Sequence, residues 1–476
     1  MDHIESMVQM QYLKHLKSME KARQDESAER LAMLRDDFEA AVIKKINKCF
    51  TDPDSKAITN EYVNTSQNPY KKIISRLSKC YKKAPVRIFK RDGEILKADQ
   101  IEDIIARYNE AGFDKKMKSA NLFLNAVNTV FVGPVYRDDK LCLDILTPDQ
   151  VQVVPNAVDP TKMDALFIPK ARWENDHYQR YWVVWTAESH YMIVELGRHD
   201  APIHGVIDLV SDPMPVGDNK DMVNPWGVIP YVDIHRTELE SEFWDQTSGG
   251  DLYEFGVCVA YRNTLLDFAA TWQSFKQLAV ESDEKPTANP TLSPGTALWG
   301  SRGAKWTAID LQVNFEQIRG DLEKYAASVA RNYGVTLEGY NVPSQQSGAA
   351  LKVVNQELTD IWTDQLEIFR DAESRLWELI KIISEKEGVG NWAGIDLDIR
   401  YTSMSTGGDK EELELDAMKM ERGLISPIAV YMKYNDTVVD EVEALENIKE
   451  NLKLMNELKP SVTKIGVFDE LPDEEE

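Results

Sequence analysis

The chain has 476 residues, 43% hydrophobic and 28% charged, a balance that excludes a disordered polymer and a length that implies roughly two to four domains. Its 55 Lys and Arg stand against 80 Asp and Glu, a net charge of −25, which argues against a protein that grips nucleic acid by displacing counterions from phosphates. DNA as a passing neighbour is not excluded by that balance. The longest apolar stretches, such as Gly256 to Tyr261, fall far short of the roughly 20 residues a bilayer span needs. Met1 to Met10 lacks a basic region followed by an apolar one, so no signal peptide is expected, and the protein reads as soluble and intracellular. Cys49, Cys80, Cys142 and Cys258 show no CxxC spacing and the histidines no HxxxH pair. No zinc site is expected, and the thiols are predicted to be reduced and buried.

In chain order, apolar residues at helical spacing (Met7, Met10, Leu13, Leu16, Met19, then Leu31, Leu34, Phe38, Val42, Ile46) predict one long or two shorter amphipathic helices over Asp2 to Phe50, ended by TDPDS at Thr51 to Ser55. A helix follows from about Pro69 to Tyr81, then a short strand, Val86 to Lys90. This is the one strongly basic stretch: Lys71, Lys72, Arg76, Lys79, Lys82, Lys83, Arg87, Lys90 and Arg91. It reads first as a solvated face with a subunit contact, and second as a nucleic-acid patch, disfavoured because no aromatic residues interleave it. Asn121 to Phe131 looks like a buried helix, Leu141 to Leu146 a strand, and TPDQVQVVPN a turn and strand. Arg180 to Thr186 and His190 to Leu196 form a predicted hairpin.

After Gly249 and Gly250 the pattern changes. Asp251 to Val280 holds no Pro and predicts a helix of about 30 residues, roughly 45 Å, apolar nearly all round (Leu252, Phe255, Val257, Val259, Leu265, Leu266, Phe268, Trp272, Phe275), so neighbours are expected on several sides. The Pro- and Gly-rich segment after it forbids a helix, while TALW and KWTAI around GSRG predict a hairpin; a second helix, Phe315 to Tyr333, returns. Gly334 closes that helix, and VTLEGYNVPSQQSG is a loop. Leu351, Val354, Leu358, Trp362, Leu366, Phe369, Leu376, Ile380 and Ile383 mark a helix of about 35 residues. Ile395 to Tyr401 is a strand, Glu411 to Arg422 a helix closed by Gly423, Ser426 and Pro427 the cap and first position of the next, and Asp440 to Leu458 the last; DELPDEEE is a charged tail.

No P-loop, GxSxG or HExxH motif occurs, and GVGNWAG at Gly388 to Gly394 lacks the preceding strand of a dinucleotide fingerprint. The carboxylate pairs Asp396 with Asp398 and Asp52 with Asp54 could serve acid–base or metal chemistry, but such pairs arise freely among 80 acidic residues. Arg422 to Ile428 between two helices reads as a packing corner in preference to a helix-turn-helix.

The order of these elements resembles the portal proteins of tailed bacteriophages. The resemblance rests on Gly250 to Asn435, most of all on PTLSPGTALWG at Pro290 to Gly300 and on QIRGDLEKYAASVARNYGV at Gln317 to Val335 leading into SGAALK at Ser347 to Lys352; VFVGPVYRDDKLCLDILTPDQVQVVPN also looks like the wing of that family. It implies an α+β, mainly helical portal fold with wing, stem, clip and crown, assembled as a ring of twelve subunits at one capsid vertex, through which double-stranded DNA is packaged and ejected. The implied regions are a helical segment at 1–50, wing at 51–246, stem helix at 247–280, clip at 281–314, second stem helix at 315–333, tunnel loop at 334–350, long wing-to-tunnel helix at 351–388, wing strand at 389–408, crown at 409–460 and acidic tail at 461–476. Ser344, Gln345, Gln346, Ser347, Gly348 and Lys352 would line the DNA channel, Pro294, Trp299, Arg302, Lys305 and Trp306 would dock the terminase and then the head–tail adaptor, and Phe255, Trp272 and Phe275 would make subunit contacts in the stem. The implied partners are further copies of the chain, the major capsid protein, the terminase large subunit, the adaptor, a scaffold protein and DNA in transit, with no membrane, no cofactor, no metal and no catalytic residue. The implied location is the virion, and the host cytoplasm during assembly.

The small neutral side chains before the longest helix suit such a channel, because strong phosphate ligands would add a binding term at every step of sliding DNA, and a negatively charged ring would discourage DNA from condensing on it. Two other readings stay open: a capsid scaffolding or assembly protein built on coiled coils at the two ends of the chain, and a hydrolase working through a carboxylate pair.

Overall fold

The computed structural model describes residues 20–138, 140–174, 177–194, 211–217, 219–239, 241–244, 249–273, 277–281, 305–309, 314–335, 348–401, 416–435 and 441–458. These residues are 52% helical and 20% strand, a mixed α/β protein weighted toward helix. The chain divides into two compact units, residues 1–82 with 98–393, and residues 83–97 with 394–476.

The first unit opens with α1 (Lys21–Leu34) and α2 (Glu39–Cys49). Of the two readings of this segment, the described part is two helices, broken where Asp36 takes φ 64° and the Asp37 N–H reaches back to the Ala32 carbonyl at 2.8 Å. Arg23 clamps α1 down: its guanidinium donates to the Pro148 carbonyl at 2.8 Å, pairs with Glu20 at 2.7 Å and lies 3.7 Å over the Trp244 ring. Burial lowers the Arg23 pKa, and Glu20 opposes that shift. Helix α2 ends at Cys49, where Phe50 is extended, and the proline of TDPDS, at the first helical position, opens α3 (Pro53–Asn60). Helix α4 (Pro69–Leu77) is capped by Asn68, whose side chain accepts from the Lys71 N–H at 2.9 Å. It stops four residues before the predicted Tyr81: Ser78 Oγ donates to the Ile74 carbonyl at 2.7 Å, and the turn that follows drives Cys80 and Tyr81 into the core.

The chain then visits the second unit with β1 (Val86–Arg91) and β2 (Glu94–Ile95) before returning as α5 (Ala98–Glu110) and α6 (Phe113–Val127). The predicted helix over Asn121 to Phe131 is corrected here. Asn128 adopts the left-handed conformation, φ 64°, and its N–H closes the helix on the Leu124 carbonyl at 2.8 Å. From Thr129 the β-branched run becomes strand β3 (Thr129–Arg137), which pairs with β4 (Lys140–Leu146) on one side and β10 (Val232–His235) on the other. Gly133 sits where a Cβ would lie 2.3 Å from the Pro230 carbonyl oxygen and 2.6 Å from the Tyr231 ring, so only glycine lets the chain before β10 close on β3.

A 3₁₀ turn, Pro148–Gln150, leads into the antiparallel sheet of β5 (Gln152–Pro155), β6 (Met163–Glu174), β7 (His177–Thr186), β8 (His190–Val194) and β9 (Met214–Pro215). The predicted hairpin is present as β7 and β8, with Trp185 opposite His190; strand β6, which the sequence reading did not assign, is its other neighbour. Side chains alternate between two cores. Val153, Leu166, Ile168 and Trp185 face one with Phe131, Phe243 and Trp244, while Phe167, Trp182, Val184, Tyr191 and Ile193 face the other. The His190 ring stacks on Trp185 with centroids 3.5 Å apart, and burial pushes its pKa down to about 4.

Three helices complete the unit: α7 (Gly250–Gln273), α8 (Phe315–Asn332) and α9 (Gly348–Lys386). The predicted first stem helix is shorter than Asp251 to Val280, because Gln277–Glu281 is strand β11. Its antiparallel partner is β12 (Lys305–Ile309), with Gln277 opposite Ile309 and Val280 opposite Trp306. KWTAI is therefore a strand, but its observed partner is QLAVE; TALW lies outside the described residues.

In the second unit β1 is central, paired antiparallel with β13 (Ile395–Arg400) from Val86 opposite Arg400 to Arg91 opposite Ile395, and with β2 on its other edge. A short helix at 416–421 ends before Gly423, φ 67°; residues 411–415 of that predicted helix lie outside the described residues. Helix α10 (Pro427–Tyr434) has the predicted cap, Ser426 Oγ accepting from the Ala429 N–H at 3.0 Å, and packs on α11 (Glu441–Leu458). The thiols are free, but only Cys80 is buried: Cys142 and Cys258 are half-buried and Cys49 is exposed. The expectation of four buried thiols is thus wrong for three of them.

Two predictions follow from this packing. Replacing Gly133 by Ala should cost about 1–3 kcal/mol by overpacking, read as a lower urea midpoint at unchanged slope. His190, held neutral by burial, has a folded pKa below that of the unfolded chain, so the unfolded state takes up more protons between pH 6.5 and about 4. Its stabilising contribution is complete above that window and declines as the pH falls through it. The His190→Gln variant should show a shallower loss of Tm over the same window than the natural chain.

Candidate functional site

The segment 336–347 lies between α8 and α9, and its setting is defined by how those helices are anchored. Helix α8 buries a stripe of small and apolar residues, Leu322, Ala326 and Ala330, and packs on α7. Tyr325 meets Phe255 edge to face with centroids 5.2 Å apart, and the Arg262 guanidinium lies 5.5 Å from the Tyr325 ring centroid. At its C-terminus Gly334 takes φ 62°, the Val335 N–H returns to the Ala330 carbonyl at 2.9 Å, and Val335 is buried. This is the glycine stop the sequence predicts. Tyr333 donates its hydroxyl to Asp251 in the first turn of α7, tying the end of one helix to the start of the other; burial and that carboxylate both raise the Tyr333 pKa.

Helix α7 is itself seated against α2, α3 and α4. Gly256 faces Met33 and Tyr70 so closely that a Cβ there would lie 2.8 Å from the Met33 sulfur and 3.3 Å from the Tyr70 Cβ. Leu252, Phe255, Val257, Val259 and Ala260 are buried, whereas the turns from Tyr261 to Thr271 are half-buried or exposed except for Thr264. There the Asn64 N–H donates to Thr264 Oγ1 at 3.0 Å, and Tyr62 packs edge to face on Phe268.

Helix α9 is anchored by polar groups. Gln365, 3% exposed, accepts from Asn121 Nδ2 at 2.9 Å and Asn125 Nδ2 at 3.1 Å and donates to Asn125 Oδ1 at 2.8 Å. Asn125 also donates to Ser78 Oγ at 3.1 Å, so one amide cluster joins α4, α6 and α9. Further along, the Tyr81 hydroxyl donates to the fully buried Glu373 at 2.5 Å, and Arg375 reaches the Asp233 carbonyl at 2.6 Å and its carboxylate at 3.2 Å. Tyr136 and Ser384 share a hydrogen bond of 2.7 Å. Burial raises the Asp233 pKa, but the His235 hydrogen bond and the Arg375 charge outweigh it and leave the carboxyl below its usual value.

The predicted site residues fall unevenly on this frame. Ser344, Gln345, Gln346 and Ser347 lie outside the described residues, as do Pro294, Trp299, Arg302 and Phe275. Gly348, predicted as loop, is the first residue of α9, which extends three residues further back than the sequence stripe indicates; Lys352 is in the second turn. Lys305 and Trp306 are on β12, opposite Glu281 and Val280, and Trp272 is in the last turn of α7. Phe255, predicted to touch another subunit, is 1% exposed and packs on Tyr325 of its own chain, which corrects that expectation. The carboxylate pair Asp396 and Asp398 is on β13 with Asp398 bound to Lys90 at 2.9 Å, and Asp52 is exposed. Among the described residues no three His, Cys, Asp or Glu side chains converge to hold a metal ion, and no helix is long and apolar enough to cross a membrane.

The sequence reading missed the Asn121–Asn125–Gln365 cluster. Its one local signal is Asn121 and Asn125 one turn apart on an otherwise apolar face; Gln365 is distant in sequence and becomes their partner only through the fold. No family model matches the chain, and no curated protein matches it.

Replacing Gln365 by Leu should leave Asn121 and Asn125 buried without their partner, at about 1–3 kcal/mol for each orphaned group. The expected outcome is a large fall in the urea midpoint. Asn125→Ala combined with Gln365→Leu should cost less than the sum of the two single changes, which a double-mutant cycle would read.

Proposed function

We propose that the chain is a portal-type ring subunit of a tailed bacteriophage, forming the channel at one capsid vertex through which double-stranded DNA enters and leaves. The observation that carries this reading is the antiparallel pair β11–β12 set between α7 and α8 in the chain, followed after α8 by a segment that ends in the neutral Ser344, Gln345, Gln346 and Ser347 and then by the 39-residue α9. A helix, a strand pair and a returning helix would make a projecting finger, suited to dock a packaging motor and later a head–tail adaptor. The segment 336–347, held between two anchored helices, would line the channel. Its Ser344, Gln345, Gln346 and Ser347 offer weak, exchangeable hydrogen bonds to phosphates in place of fixed charges.

The half-buried Leu265 and Leu266 of α7 support contact with further copies of the chain. Capsid protein, scaffold, terminase, adaptor and DNA in transit are the partners this function requires, and the virion is its location. A scaffold built on free coiled coils is less well supported, because α1 and α2 are packed into the first unit, α1 against α6 and the 3₁₀ turn and α2 against α7.

Purified protein examined by negative-stain electron microscopy and native mass spectrometry should give annular particles of about twelve subunits with a central hole. Elongated or compact small oligomers would count against the proposal. In assembled particles, Gln345→Lys with Gln346→Lys should slow or arrest packaging by adding phosphate-binding terms along the channel; packaging at the natural rate would remove the role assigned to this segment.

A further inference from the structure

From residue 62 to residue 91 the sequence contains no Asp or Glu, in a chain where acidic residues outnumber basic ones by 80 to 55. The fold concentrates this run further. Ser78 Oγ accepts from Asn125 Nδ2 at 3.1 Å and lies 3.4 Å from the Asn121 carbonyl, so the end of α4 is packed against the middle of α6. One and two turns before Asn121, α6 carries Lys118 and Lys115, both exposed; α4 and the turn after it carry Lys72, Arg76, Lys79 and Lys82. Lys72 and Arg76, four residues apart, share one face of α4, and Lys115 and Lys118, three apart, share one face of α6.

None of these five lysines has a carboxylate within ion-pair distance among the described residues, whereas Lys71, on the same helix, is bound to Asp36. Partial burial and the charges of Lys118, Lys82 and Arg76 together lower the Lys79 pKa.

We infer that this cluster of Lys72, Arg76, Lys79, Lys82, Lys115 and Lys118 is a docking surface for the phosphate backbone of duplex nucleic acid, read without regard to sequence. Two features select a phosphate polymer over an acidic protein surface. No large apolar side chain of α4, α6 or the turn after α4 is exposed, so the patch lacks the apolar centre of a protein interface, in which lysine is depleted. The charges are also mostly lysines, which bind phosphate as point charges without the fixed fork of arginine, as contact with a backbone irrespective of sequence allows. The surrounding net charge of −25 makes the contact weak and strongly salt-dependent, a tether and not a grip. This inference stands on the cluster alone and holds whether or not the chain forms a ring.

The test is fluorescence anisotropy of a labelled 20-base-pair duplex titrated with the full chain at 50–300 mM KCl. The natural protein should bind at the low end with a log–log salt slope of about −4, as for four to five phosphates at −0.9 each, and two unrelated duplex sequences should bind equally. Lys82→Glu with Lys118→Glu, both exposed positions, should weaken binding at least tenfold at unchanged Tm, and the corresponding Gln pair should weaken it less. Absence of binding by the natural protein at 50 mM KCl, or equal binding by the Glu pair, would overturn the inference. So would a Glu pair that alters self-association in sedimentation velocity while leaving duplex binding unchanged, since the surface would then serve a second copy of the chain.

Discussion

Gln365 is buried near the middle of α9, and its amide holds that helix against α4 and α6 through Asn121 and Asn125. An apolar stripe alone lets a long helix slide by a turn at modest cost, because one leucine can replace another. A buried amide that both accepts and donates has one register in which its partners are satisfied. Tyr81 with Glu373, Arg375 with Asp233 and Tyr136 with Ser384 repeat the device along the following turns. The result is a helix fixed along its axis from Gln365 to Ser384, and therefore a fixed starting point for the turns that lead back toward Gly348.

Helices α7 and α8 are positioned by a different means, close approach. Gly256 lets α7 descend onto Met33 and Tyr70, and the alanines of α8 let it lie near α7, with the Tyr333–Asp251 hydrogen bond closing the pair at one end. A strand pair begins where α7 ends. Register by polar groups on one side and by small residues on the other delivers both ends of segment 336–347 from anchored helices. That arrangement suits the proposed channel role of the segment, in which its side chains would hold nothing tightly.

Much of this was legible in the sequence where a local signal matched the physics. Gly334 and Ser426 with Pro427 marked helix ends, and the stripe from Leu358 to Ile383 marked α9. The failures share one cause: the deciding partner lay far away in the chain. Asn121 to Phe131 is apolar enough for a helix, and only the left-handed Asn128 and the demand of β4 and β10 for a central strand divide it. Gln277–Glu281 continues the apolar pattern of α7 but is claimed by Lys305–Ile309. Phe255 looked like an outward contact because a helix apolar all round does not reveal which side its own chain will cover. The lysines of α6 are plain in the sequence, yet their juxtaposition with those of α4 depends on the Ser78–Asn125 contact.

The central claim is that the small-residue segment faces moving DNA, and site-specific photocrosslinking in DNA-filled particles tests it most directly. A photoreactive residue placed at Gln346 should form a covalent adduct with the packaged DNA, while the same residue at Val158, which is 93% exposed on the first unit, should not. No adduct at position 346, or equal adducts at both positions, would contradict the account.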